Sequence, residues 1–340
     1  MLYIHQFPDW THFRFDYKRI LDMLGKTRLK EGELIRTMRL RELQNEEIEF
    51  ITEDIVANAA IDGIDLDKEY IRKEVKLREE SHLDYIRLYV EALKNPATPV
   101  SMEALFKWHA ALSEAKTAEL RTEESEIRSM LGENEITFKG PEPERLATEL
   151  ANFLTWFEIA PMDGIVKAAI AHFWLLTLRP FKRGNGMLAR AICALQIARA
   201  EQSPRYAYTL VKQIHENRND YFRILNKTQA GNGDLTEWIL WFLAQMQNAI
   251  DKSEAVLLPI VRTLTFAMQH AGTTTSEREQ KILTAALYKK LPEKFTSKDV
   301  ATLLSISHDT AHREIQDLIE KKLIKRNDKR GRSQSYSLAE

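Results

Sequence analysis

One cysteine stands in 340 residues. Cys193 has no partner for an intramolecular disulfide, and no His/Cys cluster with metal-ligand spacing forms around it or elsewhere, so no metal site is expected. It lies in an apolar helical run, where a small core residue is the simplest reading. Charge of one sign is missing too. Lys plus Arg is 49 against 50 for Asp plus Glu, so the overall balance argues neither for nor against nucleic acid. Long apolar runs are absent. Stretches such as Ile165–Leu178 and Leu235–Met246 are broken by Lys, His or Glu and are too short to span a bilayer, so no membrane partner is expected. Met1–Trp10 carries His5, Pro8 and Asp9 in place of the apolar core of a signal peptide. There is no internal repeat and no low-complexity tract. These absences point to a reducing, cytoplasmic setting, and the length leaves room for two or three domains with proper cores.

What is present is mostly helix. Leu34, Met38, Leu40 and Leu43, then Ile48, Ile51 and Ile55, recur at the three-and-four spacing of an amphipathic surface. Ser81–Leu93 continues that pattern until Asn95-Pro96 breaks it, and Met102–Leu112 follows a Ser101 cap. Glu114–Glu144 has little periodicity; Ile136-Thr137-Phe138 inside it reads as a short strand or hairpin before Gly140-Pro141-Glu142-Pro143. Helix resumes over Arg145–Glu158, Ile165–Leu178, Met187–Gln202, Glu216–Ala230 and Leu235–Ile250. A small polar linker, Ala271–Thr275, then leads to helices over Ser276–Leu287, Ser297–Leu304 and His308–Lys321. On the last of these Ala311, Ile315 and Leu318 point inward, leaving Thr310, His312, Arg313 and Gln316 outward. Leu323-Ile324 and Ser335–Leu338 flank a turn, Lys325–Arg332, with five basic residues and one acidic. That order predicts a winged helix-turn-helix. Its natural use sets His308, Thr310, His312 and Arg313 in a DNA groove and Lys329, Arg330 and Arg332 on phosphates. Protein contact is the other common use of such a unit.

The most informative stretch is Leu178-Arg-Pro-Phe-Lys-Arg-Gly-Asn-Gly-Met-Leu-Ala-Arg190. Gly184 and Gly186 allow backbone conformations in which successive N–H groups converge on one point. The helix that follows adds its unsatisfied N–H groups and positive end, and Arg190, one turn in, supplies a two-pronged donor. An isolated Gly-Asn-Gly can simply join two packed helices. With Lys182, Arg183 and Arg190 around it, the loop of Gly184, Asn185 and Gly186 reads as an anion or nucleotide cradle.

Ala168–Arg190 resembles the core of Fic proteins, whose motif runs His-Pro-Phe-x-Asp/Glu-Gly-Asn-Gly-Arg-x-x-Arg. Asp9-Trp10 to Val75, Trp108-His109, Ile136–Pro143, Tyr221–Phe242 and Thr310-Ala-His-Arg313 resemble the same architecture, so the likeness covers nearly the whole chain. It implies a mainly α Fic-type helical bundle with a small β-hairpin flap, plus the C-terminal winged helix. The expected divisions are residues 1–80 as an N-terminal helical extension, 81–250 as the core, 251–275 as a connecting helix and linker, and 276–340 as the winged unit. Typical members transfer AMP from ATP to protein hydroxyls. The flap, Ile136, Thr137 and Phe138, would by resemblance align a target segment by strand addition; an ordinary exposed hairpin is the plainer alternative. Many relatives form dimers, so a homodimer stays open.

The departures bear on chemistry. Arg179 stands where the family has its catalytic His, the base for the attacking hydroxyl, and arginine stays protonated. Arg183 replaces the metal-binding acid and would repel magnesium, and Met187 replaces the first motif arginine. Pro180, Phe181, Gly184, Asn185, Gly186 and Arg190 are retained. His172, roughly 10 Å back along the same helix, reads as a core residue. His215 reads as surface, and no Ser-His-Asp series or paired carboxylates appear. The family's inhibitory helix, Ser/Thr-x-x-x-Glu-Gly/Asn, corresponds to Asn58-Ala-Ala-Ile-Asp62-Gly63, so Asp62 is expected to pair with Arg190 in the resting protein, with Asn58 beside it. The same residues also read as a plain helix end capped by Gly63. The expected function is a degenerate Fic protein that takes a nucleotide or other phosphate-bearing ligand at its loop and regulates DNA or a protein target through the winged helix. ATP is the candidate ligand, no cofactor is certain, and magnesium is not expected. The alternative is an attenuated, autoinhibited protein adenylyltransferase.

Overall fold

A computed structural model describes residues 2–41, 43–113, 118–131, 134–202, 206–327 and 334–339. The chain divides into two compact units, residues 1–253 and 254–340.

The first unit is built around an antiparallel helix pair, α7 (Gly164–Leu178) and α8 (Asn185–Glu201). Ile165, Ile170, Phe173, Trp174, Leu175 and Leu178 on α7 are all at most 2% exposed, which at roughly 1.5–3 kcal/mol per large apolar side chain makes this hairpin the centre of stability. Asp163 starts α7 by accepting the N–H groups of Ile165 (2.8 Å) and Val166 (3.1 Å). Gly164 then allows the two helices to cross closely, since a Cβ there would lie 2.5 Å from the Ala200 Cβ. Trp174 packs edge-on against Trp10, Phe13 and Phe153, joining the N-terminal segment to α6 (Leu146–Ile159).

Three N-terminal helices, α1 (Tyr17–Arg41), α2 (Gln44–Ile61) and α3 (Lys68–Leu77), lie against this core. Ile51 and Ile55 of α2 share a cluster with Ile71 and Val75 of α3 and with Ile86, Val90 and Leu93 of α4 (Asp84–Lys94). α4 starts three residues later than the periodicity suggests because Ser81 is occupied elsewhere, its hydroxyl donating to Glu74 at 2.7 Å. α5 (Met102–Ser113) opens on Ser101, whose hydroxyl accepts the Ala104 N–H at 3.0 Å. β1 (Glu126–Leu131) and β2 (Asn134–Lys139) form an antiparallel hairpin in which Ile127 faces Phe138 and Ser129 faces Ile136.

Two boundaries differ from the expected ones for physical reasons. The helix expected over Glu216–Ala230 is α10 (Arg218–Gln229), and a separate, unexpected helix, α9 (Leu210–Glu216), precedes it, with Asn217 between them. The buried Asp54 carboxylate fixes the start of α9 by accepting from Val211 N (3.1 Å) and Lys212 N (2.8 Å). The helix expected to stop near Ile250 continues as α11 (Thr236–Gln269), with Pro259 inside it.

In the second unit, α12 (Glu277–Leu287), α13 (Ser297–Leu304) and α14 (His308–Glu320) precede a two-stranded antiparallel sheet of β3 (Ile324–Arg326) and β4 (Tyr336–Leu338). Ser276 with Glu279 and Thr296 with Asp299 form capping boxes, and Ser307 caps α14. Ile282, Phe295, Val300, Ala311, Ile315 and Tyr336 make its core.

Candidate functional site

The loop between α7 and α8 is closed by one side chain. Asn185 Oδ1 accepts the Phe181 N–H at 3.0 Å while its Nδ2 donates to the Phe181 carbonyl at 2.7 Å. Asn185 is buried with both amide ends occupied, so within the expected cradle it holds the turn. Phe181 anchors the loop beneath, its ring stacked on His109 at 3.7 Å and 11°. Burial lowers the His109 pKa, and its Nε2 donates to the Arg183 carbonyl at 2.8 Å. Gly184 takes φ +72°, where a side chain would be strained and would also press on His109 (3.3 Å).

Above this loop sits the end of α2. Arg190 is 2% exposed. Its Nη2 donates to Asp62 Oδ2 at 2.6 Å and to the Asn58 carbonyl at 3.0 Å, and its Nε donates to Asn58 Oδ1. Asn58 Nδ2 in turn reaches the Met187 carbonyl (3.5 Å). A Cβ on Gly186 would meet Asp62 Oδ1 at 3.1 Å and Oδ2 at 3.2 Å. The Asp62 carboxylate therefore lies against the glycine at the start of α8, where an anion would sit. Asp62 is also the C-cap of α2, followed by Gly63 at φ +81°, so the helix end and the Arg190 contact are two aspects of one geometry.

Arg179 ends α7 in the left-handed region (φ 47°, ψ 57°). Its Nε donates to Ser125 Oγ at 2.8 Å, tying the loop to the foot of the β1–β2 hairpin. Burial, with Arg121 alongside, lowers its pKa to about 10 while Asp62 opposes that shift, so it remains a cation at neutral pH and accepts no proton. Sequence reasoning missed Arg121. Its N–H donates to the Pro180 carbonyl (3.0 Å), Nε to the Arg179 carbonyl (2.8 Å), Nη1 to Glu123 O (2.8 Å) and Nη2 to Pro141 O. One buried guanidinium thus binds both feet of the hairpin to the loop. A lone Arg in an aperiodic segment carries no local signal for that role.

Lys182 and Arg183 are exposed on the loop, with Lys182 3.7 Å from Glu123. A cleft of about 660 Å³ opens beside them, and its lining includes Asp62, Arg179, Arg183, Tyr70, Tyr89 and Trp108. Three carboxylates border it, and each is engaged through at least one oxygen. Asp62 holds Arg190; Asp67 caps α3 through Glu69 N (2.9 Å) and Tyr70 N (3.1 Å); Asp54 takes the α9 amides and the Tyr206 hydroxyl.

The remaining expected residues are dispersed. Burial lowers the His172 pKa to about 3, with Arg190 adding to it, and His172 meets the Tyr221 hydroxyl at 3.0 Å inside the core. His215 is partly buried on α9. Ile136 and Thr137 are on β2, paired with Ser129 and Arg128. Phe138 is 2% exposed, its ring packed edge-on against Tyr3 (5.1 Å) and His5 (5.8 Å), so its side chain anchors the strand and is not open for docking. In the second unit His308, His312 and Arg313 are exposed on α14, and Thr310 Oγ1 contacts Ser307 Oγ at 2.8 Å in the cap. Lys329, Arg330 and Arg332 lie outside the described residues.

Residues 99–197, which contain the whole α7–loop–α8 arrangement, match the model of the Fic/DOC family. The chain carries a Fic/DOC-family domain. Ahead of its Fic domain, residues 3–78 match a domain of unknown function, DUF4172. The chain is 29% identical over 114 residues to "Protein adenylyltransferase Fic" of Nematostella vectensis, covering 33% of this chain and 25% of that protein. It is 29% identical over 113 residues to "Protein adenylyltransferase fic-1" of Caenorhabditis briggsae, covering 32% and 21%. The matched part thus spans a quarter or less of these curated relatives. Among solved structures, a Fic family protein from Desulfovibrio desulfuricans G20 aligns with TM-score 0.46 and 19% identity over 94% of each chain. Fic-1 from C. elegans aligns with TM-score 0.48 and 19% identity over 69% of this chain and 72% of that one. No helix among the described residues is long and apolar enough to cross a membrane.

Proposed function

We propose that this Fic protein has lost AMP transfer and works as a regulatory module that captures a nucleotide or other phosphate-bearing ligand at residues 182–190. The observation that carries this reading is the Asp62 carboxylate seated against Gly186 and paired with buried Arg190 at 2.6 Å: an anion already occupies the cradle. A protein carboxylate there is a built-in competitor that an incoming phosphate displaces. Loss of transfer is supported by the residues alone. Arg179 holds its proton, His172 and His109 are engaged within the fold, and the acids bordering the cleft are all occupied.

The test is ATP binding and labelled-AMP transfer on the full chain, wild type and Asp62→Ala. The expected outcome is tighter binding in the variant, loss of binding in Asp62→Ala/Arg190→Ala, and no transfer in any of them. Transfer by Asp62→Ala would establish the other reading, an autoinhibited adenylyltransferase, which the Asp62–Arg190 pair also favours. For the second unit we propose a winged helix that contacts DNA through α14 and the basic turn. The helix–helix–helix–hairpin order and the exposed His308, His312 and Arg313 support it.

A further inference from the structure

Two cations lining the cleft, Arg179 and Arg183, form no ion pair with any described residue. Arg179 Nε is taken by Ser125, but its terminal nitrogens hydrogen-bond to no described residue and the side chain borders the cleft. Its close charged neighbour Arg121 repels it, and the nearby Asp62 is already paired. A mostly buried guanidinium without a counter-ion is costly unless something anionic joins it. Arg183 is exposed on the same wall and forms no ion pair with any described residue, although its carbonyl is fixed by His109. Its guanidinium therefore leaves the loop from a rigid base. Tyr70, Tyr89 and Trp108, in the lining of the same cleft, offer rings for an aromatic base.

We infer that Arg179 and Arg183 stand in for a divalent cation, so that the cleft selects a metal-free nucleoside di- or triphosphate. The inference rests on the phosphate-capture reading above and names the ligand's charge state. A guanidinium meets a phosphate through two parallel N–H donors, and two of them spread over adjacent phosphates match what one metal ion does for a polyphosphate. A magnesium complex of the same ligand brings two further positive charges into a site that already carries Arg179, Arg183 and Arg190, while Asp54, Asp62 and Asp67 are each already engaged through at least one oxygen. Magnesium thus becomes a competitor of the protein for the ligand.

The experiment is calorimetric titration of ATP into the full chain carrying Asp62→Ala, which frees Arg190, in EDTA and in excess magnesium. The same titrations are made with Arg183→Glu and Arg179→Gln added. The expected result is binding about tenfold or more tighter in EDTA, with each added substitution weakening the EDTA affinity by about tenfold. Arg183→Glu, an exposed change that leaves the fold intact, should also reverse the preference and bind better with magnesium. Tighter binding of the parent in magnesium overturns the inference while leaving phosphate capture standing. Unchanged affinity in both added variants overturns it as well. No binding under either condition overturns both.

Discussion

A single side chain, Asn185, decides whether the loop exists. Asn185→Ala removes both contacts with the Phe181 backbone and leaves a buried N–H and C=O unpaired, so it is expected to lower the unfolding free energy by about 2–4 kcal/mol, read by urea denaturation. Gly186 is the finer probe. Gly186→Ala places a methyl about 3 Å from both Asp62 oxygens and from Arg190 Nη1. That is expected to loosen the pair and raise hydrogen exchange at Asp62–Ile64 with little change in overall stability. The glycine pair, Arg190 and an acid that could reach it were legible in the sequence, because their meaning depends on residue type and short-range spacing. Arg121 and Phe138 were not. One acts through contacts to Glu123, Pro141, Arg179 and Pro180, the other through rings of Tyr3 and His5, and neither leaves a periodic trace.

Among elements, the α7–α8 crossing depends on Gly164. Gly164→Ala puts a methyl 2.5 Å from Ala200 and is expected to cost about 1–3 kcal/mol by forcing the helices apart. α1 is joined to the end of α8 by two acids, Glu31, which is buried, and Glu201, which is partly buried. Glu31 and Glu201 share a hydrogen bond with each other, and the Tyr208 hydroxyl donates to Glu201 (2.6 Å) with a longer contact to Glu31 (3.3 Å). Burial raises both pKa values, with Glu31 raising that of Glu201 further, while Arg28 beside Glu31 opposes the shift. The native state therefore holds a proton that the unfolded chain has released above the ordinary carboxyl range. Stability should be greatest below that range and fall as pH rises through the raised values. Urea denaturation from pH 4 to 8 tests this, and Glu201→Gln should flatten the slope. Helix existence was mostly readable from apolar spacing, whereas α9 and the continuity of α11 to Gln269 were not. Asp54 fixes the start of α9 from another helix, and α11 runs unbroken through Pro259.

For the whole molecule, the two family matches fall on separate stretches of sequence, yet the candidate site takes Asn58 and Asp62 from the first and Arg190 from the second. The Fic core alone would lack a wall of its own cleft. The second unit presents His308, His312 and Arg313 on one exposed helix face, with Lys325 and Arg326 on β3. If it contacts duplex DNA, Arg313→Ala should weaken binding by anisotropy, and Lys325→Ala should reduce the salt slope by about one. Salt-independent binding, or none, would favour a protein partner instead.

The three contacts that occupy Arg190 also set a clock. On the proposed phosphate-capture function, a phosphate that claims this guanidinium must wait until the last turn of α2 lets go, so at high ligand concentration the association rate is expected to level off at the rate of that release. The apparent dissociation constant is likewise the intrinsic one divided by the fraction of molecules already open. Asp62→Ala should therefore turn a saturating rate into one that climbs linearly with ligand. Measured by stopped flow, the plateau reads how often this molecule opens unaided.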